Sequence, residues 1–120
     1  MAVAIAVSPA HALDAKGFAR MCENDISEAT AYVSGVWDKR RDDMLVVGGI
    51  VANAMPDKRD YEFVRTIVGG NFCLPADANL AMVLVQACKW VKANPDKGNN
   101  TGNSALFSAW EERWPCPGQK

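Results

Sequence analysis

The chain has 120 residues, 49% of them hydrophobic, and its 13 basic and 14 acidic side chains nearly cancel. That length builds one folded domain with one modest core, and that charge balance excludes the basic field needed to hold nucleic acid or an anionic membrane. No apolar run reaches the roughly 20 residues of a membrane span; the longest, Met44 to Met55, carries two adjacent glycines.

The first twelve residues, MAVAIAVSPAHA, have no charge and end in Ala10-His11-Ala12. Small residues at the first and third places of that triplet are what a signal peptidase accepts. The apolar part, Ala2 to Val7, is short and lacks a basic flank. Residues 1–12 read as the back half of a secretory signal, which makes 13–120 a single helical domain outside the cytoplasm. The alternative is a frayed N-terminal tail.

Leu13 to Cys22 predicts a short helix with Phe18, Met21 and Cys22 on one side. Asp25 then caps a second helix, with Glu28 three residues on as in a capping box. From Ile26, apolar residues recur at Ala29, Val33, Val36, Trp37 and Met44, interrupted by the charged block 38–43. Leu45 to Ala54 continues the helix past Gly48-Gly49 with a bend, or forms a short buried strand. Met55-Pro56-Asp57 is a stop. Tyr61 to Val68 predicts a short helix with Phe63, Val64 and Ile67 facing inward, ended by Gly69-Gly70-Asn71. Asn79 caps a helix from Leu80 to Ala93. Its stripe of Leu80, Val83, Leu84, Ala87, Trp90 and Val91, with Met82 and Val85 on other faces, predicts a mostly buried helix. DKGNNTGN is a polar loop, and a last helix from about Ser104 to Trp114 buries Leu106, Phe107, Trp110 and Trp114. The fold class is all-α: a compact, disulfide-stapled domain of about four to five helices.

Four cysteines, Cys22, Cys73, Cys88 and Cys116, together with an export signal, favour two disulfides. No C-x-x-C spacing suggests a metal site. The only histidine is His11, so a chain cleaved after Ala12 has no Cys–His or Ser–His pair and no imidazole acid–base chemistry. A carboxylate-only enzyme is the remaining catalytic option, but the acids sit among bases (38–43, 57–60) as on solvated faces. The chain reads as a non-enzyme without cofactor. Helices 80–93 and 104–114 form an antiparallel hairpin. Cys73 precedes the first and Cys116 follows the second, so a Cys73–Cys116 bond would close its base and leave Cys22 to pair with Cys88. The pairings 22–116 with 73–88, and 22–73 with 88–116, stay open; the 73–88 bond is disfavoured because Cys88 lies about three turns into its helix.

YVSGVWD (32–38), FCLP (72–75), KWVKANP (89–95) and WPC (114–116), in that order, resemble the Rap/Tai family of immunity proteins that accompany type VI secretion amidase effectors. The resemblance covers about 25–116. Two departures stand out: Ala29 occupies a position where many members carry cysteine, and Cys88 is not an expected place for one. The segment from Asp38 to Asn71 is also longer and more apolar than the family pattern. The resemblance implies a non-enzymatic periplasmic binder that occludes the active-site cleft of a peptidoglycan amidase effector. Members are all-helical and often dimeric, so a homodimer is a further implied partner; if the 44–55 segment is exposed, it would make a dimer face. Occlusion calls for a rigid scaffold and a polar loop. Pro95 to Asn103 is the candidate, with Asp96, Lys97, Asn99 and Asn100 as contacts; the plainer reading is a solvated connector. Tyr32 and Asp38 read as scaffold, Gly35 as a site of close helix packing, the four tryptophans as core, and Arg40-Arg41 as solvated. The competing function is an envelope scaffold or chaperone-like protein on the same fold without a toxin partner.

Overall fold

Asp14, Asp25, Asp57, Asn79 and Thr101 each accept a backbone N–H one turn or less ahead and so start a helix. Each such cap satisfies one of the donors that a helix start leaves without a partner, at about 1 kcal/mol apiece. The computed structural model describes residues 13–55 and 57–117; the signal reading of 1–12 lies outside them. The caps open α1 (Ala15–Asn24), α2 (Ile26–Val46), α4 (Lys58–Gly69), α5 (Leu80–Ala93) and α6 (Gly102–Arg113). Between α2 and α4 the helix runs on through a π-turn, Val47–Val51, into α3 (Ala52–Ala54). Counting that continuous rod once gives five helices, with no strand beyond two isolated bridges, Asp14 with Thr101 and Phe72 with Pro115, among the described residues.

The ambiguous stretch 45–54 is therefore helical. Its two glycines sit in a π-turn, where one extra residue per turn is accommodated. The half-capping box at Asp25 is real, with Glu28 N donating to Asp25 Oδ1 at 3.1 Å. Asn79 caps α5 as the residues suggested, Met82 N donating at 3.0 Å. Gly70, at φ +77°, ends α4; a Cβ there would press into the Phe72 and Phe107 rings, so glycine is required twice over.

Antiparallel α5 and α6 make the centre, and α1 and the first half of α2 pack across them. Phe18, Val33, Phe72, Val83, Leu106 and Trp110 are the large side chains fully withdrawn from water. Trp110 joins the two central helices by polar and apolar means. Its indole N–H donates to the Val83 carbonyl at 3.0 Å, while Phe72, Phe107 and Trp37 surround its ring with centroids 5.5–6.0 Å away. Trp90 is also core, whereas Trp37 and Trp114 are only half-buried. Ala29 fills a fully buried position.

Two disulfides lock this centre: Cys73–Cys116 with Cα atoms 4.8 Å apart, and Cys22–Cys88 at 5.7 Å. The first closes the base of the α5–α6 hairpin, helped by Cys73 N donating to Trp114 O at 2.8 Å. The second ties the end of α1 to the middle of α5.

Some expectations need correction. Phe63 and Ile67 do not face inward; they are 67% and 64% exposed, because α4 packs chiefly on α2 and the π-turn. Val85 is exposed too, so α5 is covered on one side rather than all round. Gly35 does not permit close packing, since a Cβ there would meet nothing within 4 Å. Asp38 is no scaffold residue; it lies on the surface, paired with Arg41 at 3.2 Å. Arg40 is not solvated like its neighbour. Its Nε donates to the Gly69 carbonyl at 2.8 Å and its guanidinium lies 4.2 Å over the Phe72 ring.

Replacing Cys73 and Cys116 together by serine opens a loop spanning 43 residues. In the chain-entropy view the stability should fall by about 3–4 kcal/mol. Urea unfolding of the double variant against the parent, both without reductant, checks this.

Candidate partner-binding surface

The open end of the α5–α6 hairpin is held by the start of α1. A helix start leaves its first N–H groups without carbonyl partners. Here Ala15 N donates to Asn100 O at 2.8 Å, Lys16 N to Gly98 O at 3.0 Å, and Gly17 N to Asp14 Oδ1 at 2.7 Å. The loop thus supplies two of the three acceptors that α1 needs. In return Gly102 N donates to Leu13 O at 2.6 Å.

The loop is folded in itself as well. Asn94 Nδ2 donates to Trp90 O at 2.8 Å as α5 ends, and Pro95–Lys97 makes one 3₁₀ turn. Gly98 N and Asn100 N donate back to Pro95 O and Lys97 O. Thr101 Oγ1 then receives Ser104 N and starts α6. Gly98 sits so close to α1 that a Cβ would come within 3.2 Å of Lys16 Cβ. The backbone of this connector is pinned, not loose.

The side chains lie at the surface although the backbone is pinned. Asp96, Lys97, Asn99 and Asn100 are all exposed, so the structure brings the four predicted contact residues together on one rigid tip. Lys97 Nζ lies 5.7 Å from the centroid of the Trp90 ring, whose N–H donates to Glu112 Oε2 at 2.9 Å. Beside the tip is a shallow depression of about 310 Å³ bounded by Ala15, Lys16, Asn94, Pro95 and Gly98. The reading of the residues missed the role of the α1 start; Asp14 followed by Gly17 was the available cue, an N-cap aspartate opening a helix at the chain's first charge.

Two larger grooves flank the core. One, about 430 Å³, runs between α1 and α5 over the Cys22–Cys88 disulfide, with Ile26 and Val85 on its rim and Lys89, Lys92 and Glu23 at its edges. The other, about 410 Å³, lies between α2 and α6 and holds Tyr32, Gly35, Lys39, Arg40 and Asn103. Burial pushes the Tyr32 phenol above its ordinary pKa; its ring packs 5.7 Å from that of Phe18. Burial, and after it the neighbouring Arg65, lowers the Arg40 pKa, and Arg40 is already engaged with Gly69 and Phe72. Among the described residues no group of His, Cys, Asp and Glu could hold a metal ion, and no helix is long and apolar enough to cross a membrane.

The chain belongs to the family of Rap1a immunity proteins, whose model matches residues 14–116. Those bounds run from the Asp14 cap to Cys116, so the match takes in α1, beyond the 25–116 span of the sequence resemblance. Membership makes this an immunity protein with a cognate secreted effector as its partner. Neither the curated proteins nor the solved structures contain a match to the chain.

Changing Asp96, Lys97, Asn99 and Asn100 together to alanine should shift the unfolding free energy by no more than about 1 kcal/mol, since exposed side chains away from caps and core cost little. Gly98→Val, which crowds Lys16, should cost about 1–3 kcal/mol by overpacking. Thermal or urea unfolding of the two variants checks the contrast.

Proposed function

We propose that the chain is a periplasmic immunity protein that binds a peptidoglycan amidase effector of type VI secretion and occludes its active-site cleft. Family membership supports the immunity role. The two disulfides support an oxidising compartment, because such bonds do not persist among cytosolic thiols. The observation that carries occlusion is the tip at 94–101. Binding a cleft costs less when the inserted loop is already ordered, and this loop is ordered by backbone bonds that leave its polar side chains outward. On this reading Asp96, Lys97, Asn99 and Asn100 make the contacts and the disulfide-locked centre holds them in place. No chemistry is asked of the chain; protection comes from keeping substrate out.

The test is capture from the host. The chain, tagged at its C-terminus and pulled down without reductant, should bring a peptidoglycan amidase in stoichiometric amount. Recovery of the chain alone, from cells shown to make such an amidase, would contradict the pairing. With the complex in hand, the four-alanine tip variant should bind the amidase at least about tenfold more weakly, equivalent to about 1.4 kcal/mol, and unchanged affinity would move the contact surface elsewhere.

A further inference from the structure

Among the described residues seven large apolar side chains stand more than half exposed. Five of them, Leu45, Val46, Ile50, Phe63 and Ile67, lie on one arm, the hairpin made by the outer part of α2, the π-turn, α3 and α4. The other two, Ile26 and Val85, come from different elements and border the same groove, the one of about 430 Å³ between α1 and α5. A cavity of that size lies within the range that holds a small ligand, about 300–1,000 Å³.

The groove has a direction. α1 begins beside the end of α5, where Lys16 N donates to Gly98 O, and its own end is tied to the middle of α5 by Cys22–Cys88. The two helices are therefore antiparallel. Towards the start of α5 the groove is walled by Ile26, Leu84 and Val85, which offer only hydrocarbon. Towards the end of α5 it reaches Lys89 and then Lys92. Val85, Lys89 and Lys92 follow one another at helical spacing, so the apolar and the cationic positions share one face of α5. The disulfide, with Cα atoms 5.7 Å apart, fixes the spacing of the two walls. A ligand thus meets a surface that is already formed, which lowers the cost of binding.

The charges bear on the occupant. Lys89, Lys92 and, on α1, Glu23 stand exposed at the edge of the groove. None of the three makes an ion pair among the described residues. The lysine stems extend the apolar wall and carry their ammonium groups to the rim. Two cations against one anion leave one net positive charge. A monovalent head neutralises that charge, whereas a divalent head overshoots it.

We propose that this groove is a binding site for a single-chain carboxylate amphiphile, a free fatty acid. Its chain lies along Ile26, Leu84 and Val85 and over the disulfide, out of water. Its carboxylate sits between the Lys89 and Lys92 ammonium groups, where charge-assisted hydrogen bonds hold it. None of Asp96, Lys97, Asn99 and Asn100 lines the groove, so the site stands or falls apart from the effector reading.

The test is titration calorimetry of the purified chain with dodecanoate, paired with amide chemical-shift mapping. Dodecanoate should bind one to one with a Kd of about 100 µM or tighter, with shifts centred on Ile26, Val85, Cys88 and Lys89. Decanoate, shorter by two methylenes, should bind about tenfold more weakly. Dodecyltrimethylammonium, with the same chain and the opposite charge, should also lose at least about tenfold. Lys89→Gln with Lys92→Gln should erase the preference for the anion over the cation. Val85→Glu should weaken both, with helical circular dichroism unchanged because the side chain is already largely in water. No saturable binding of dodecanoate up to about 1 mM would overturn the proposal. So would equal affinity for the two head charges in the unaltered chain, or shifts centred on Leu45, Ile50 and Phe63 of the arm. Protection of Ile26 and Val85 by the captured effector, in a chain that does not bind dodecanoate, would overturn it in favour of a protein contact.

Discussion

The exchange of backbone hydrogen bonds between the start of α1 and the Gly98–Gly102 connector governs the arrangement of the centre. Ala15 and Lys16 have no acceptors within their own helix and take the carbonyls of Asn100 and Gly98. Gly102 takes the carbonyl of Leu13. One set of contacts therefore caps α1, orders the connector and fixes the far end of the α5–α6 hairpin. The near end is fixed covalently by Cys73–Cys116, and Cys22–Cys88 prevents α1 from swinging away from α5. A domain of this size has a small core and gains much of its rigidity from such staples.

The molecule divides into two physical regimes. In the centre, Trp110, Phe18 and Leu106 are fully buried, and every helix start is capped. On the arm, one side is packed and the other shows Leu45, Ile50 and Phe63 to water. Arg40 marks the border. It bonds to the carbonyl at the end of α4 and covers Phe72, so it fastens the arm to the core with a charge-assisted bond and a ring contact. The 94–101 tip belongs to the first regime. Its order comes from the centre and does not depend on the arm.

Much of this was legible in the residues. Caps at Asp25 and Asn79, the helix end at Met55, and the helical period of α5 follow from local chemistry. The neighbouring ends of an antiparallel hairpin favour Cys73–Cys116 with Cys22–Cys88 but leave two other pairings open, and the structure has the favoured one. The inward facing of Phe63 and Ile67 was misread because periodicity tells which residues share a face but not whether anything lies against it. The reading of Gly35 as a close-packing site fails for the same reason: a helical glycine signals close approach only when a neighbour is known. Arg40 and Arg41 are adjacent in sequence yet differ in role, since one points at the end of α4 and the other at water. In the sequence the four tip residues are only polar loop residues; that their backbone is pinned depends on α1, about eighty residues earlier in the chain, and no local pattern carries it.

The most direct measurement is amide hydrogen exchange of the free protein, read at Ala15, Lys16, Gly98, Asn100 and Gly102. If the tip is a prebuilt, rigid element, these amides exchange only by opening the cross-linked centre, with protection close to that of the α5 core. Rapid exchange at all five, with α5 still protected, would mean that the connector opens by itself, and the picture of a rigid tip presented to an effector cleft would be wrong.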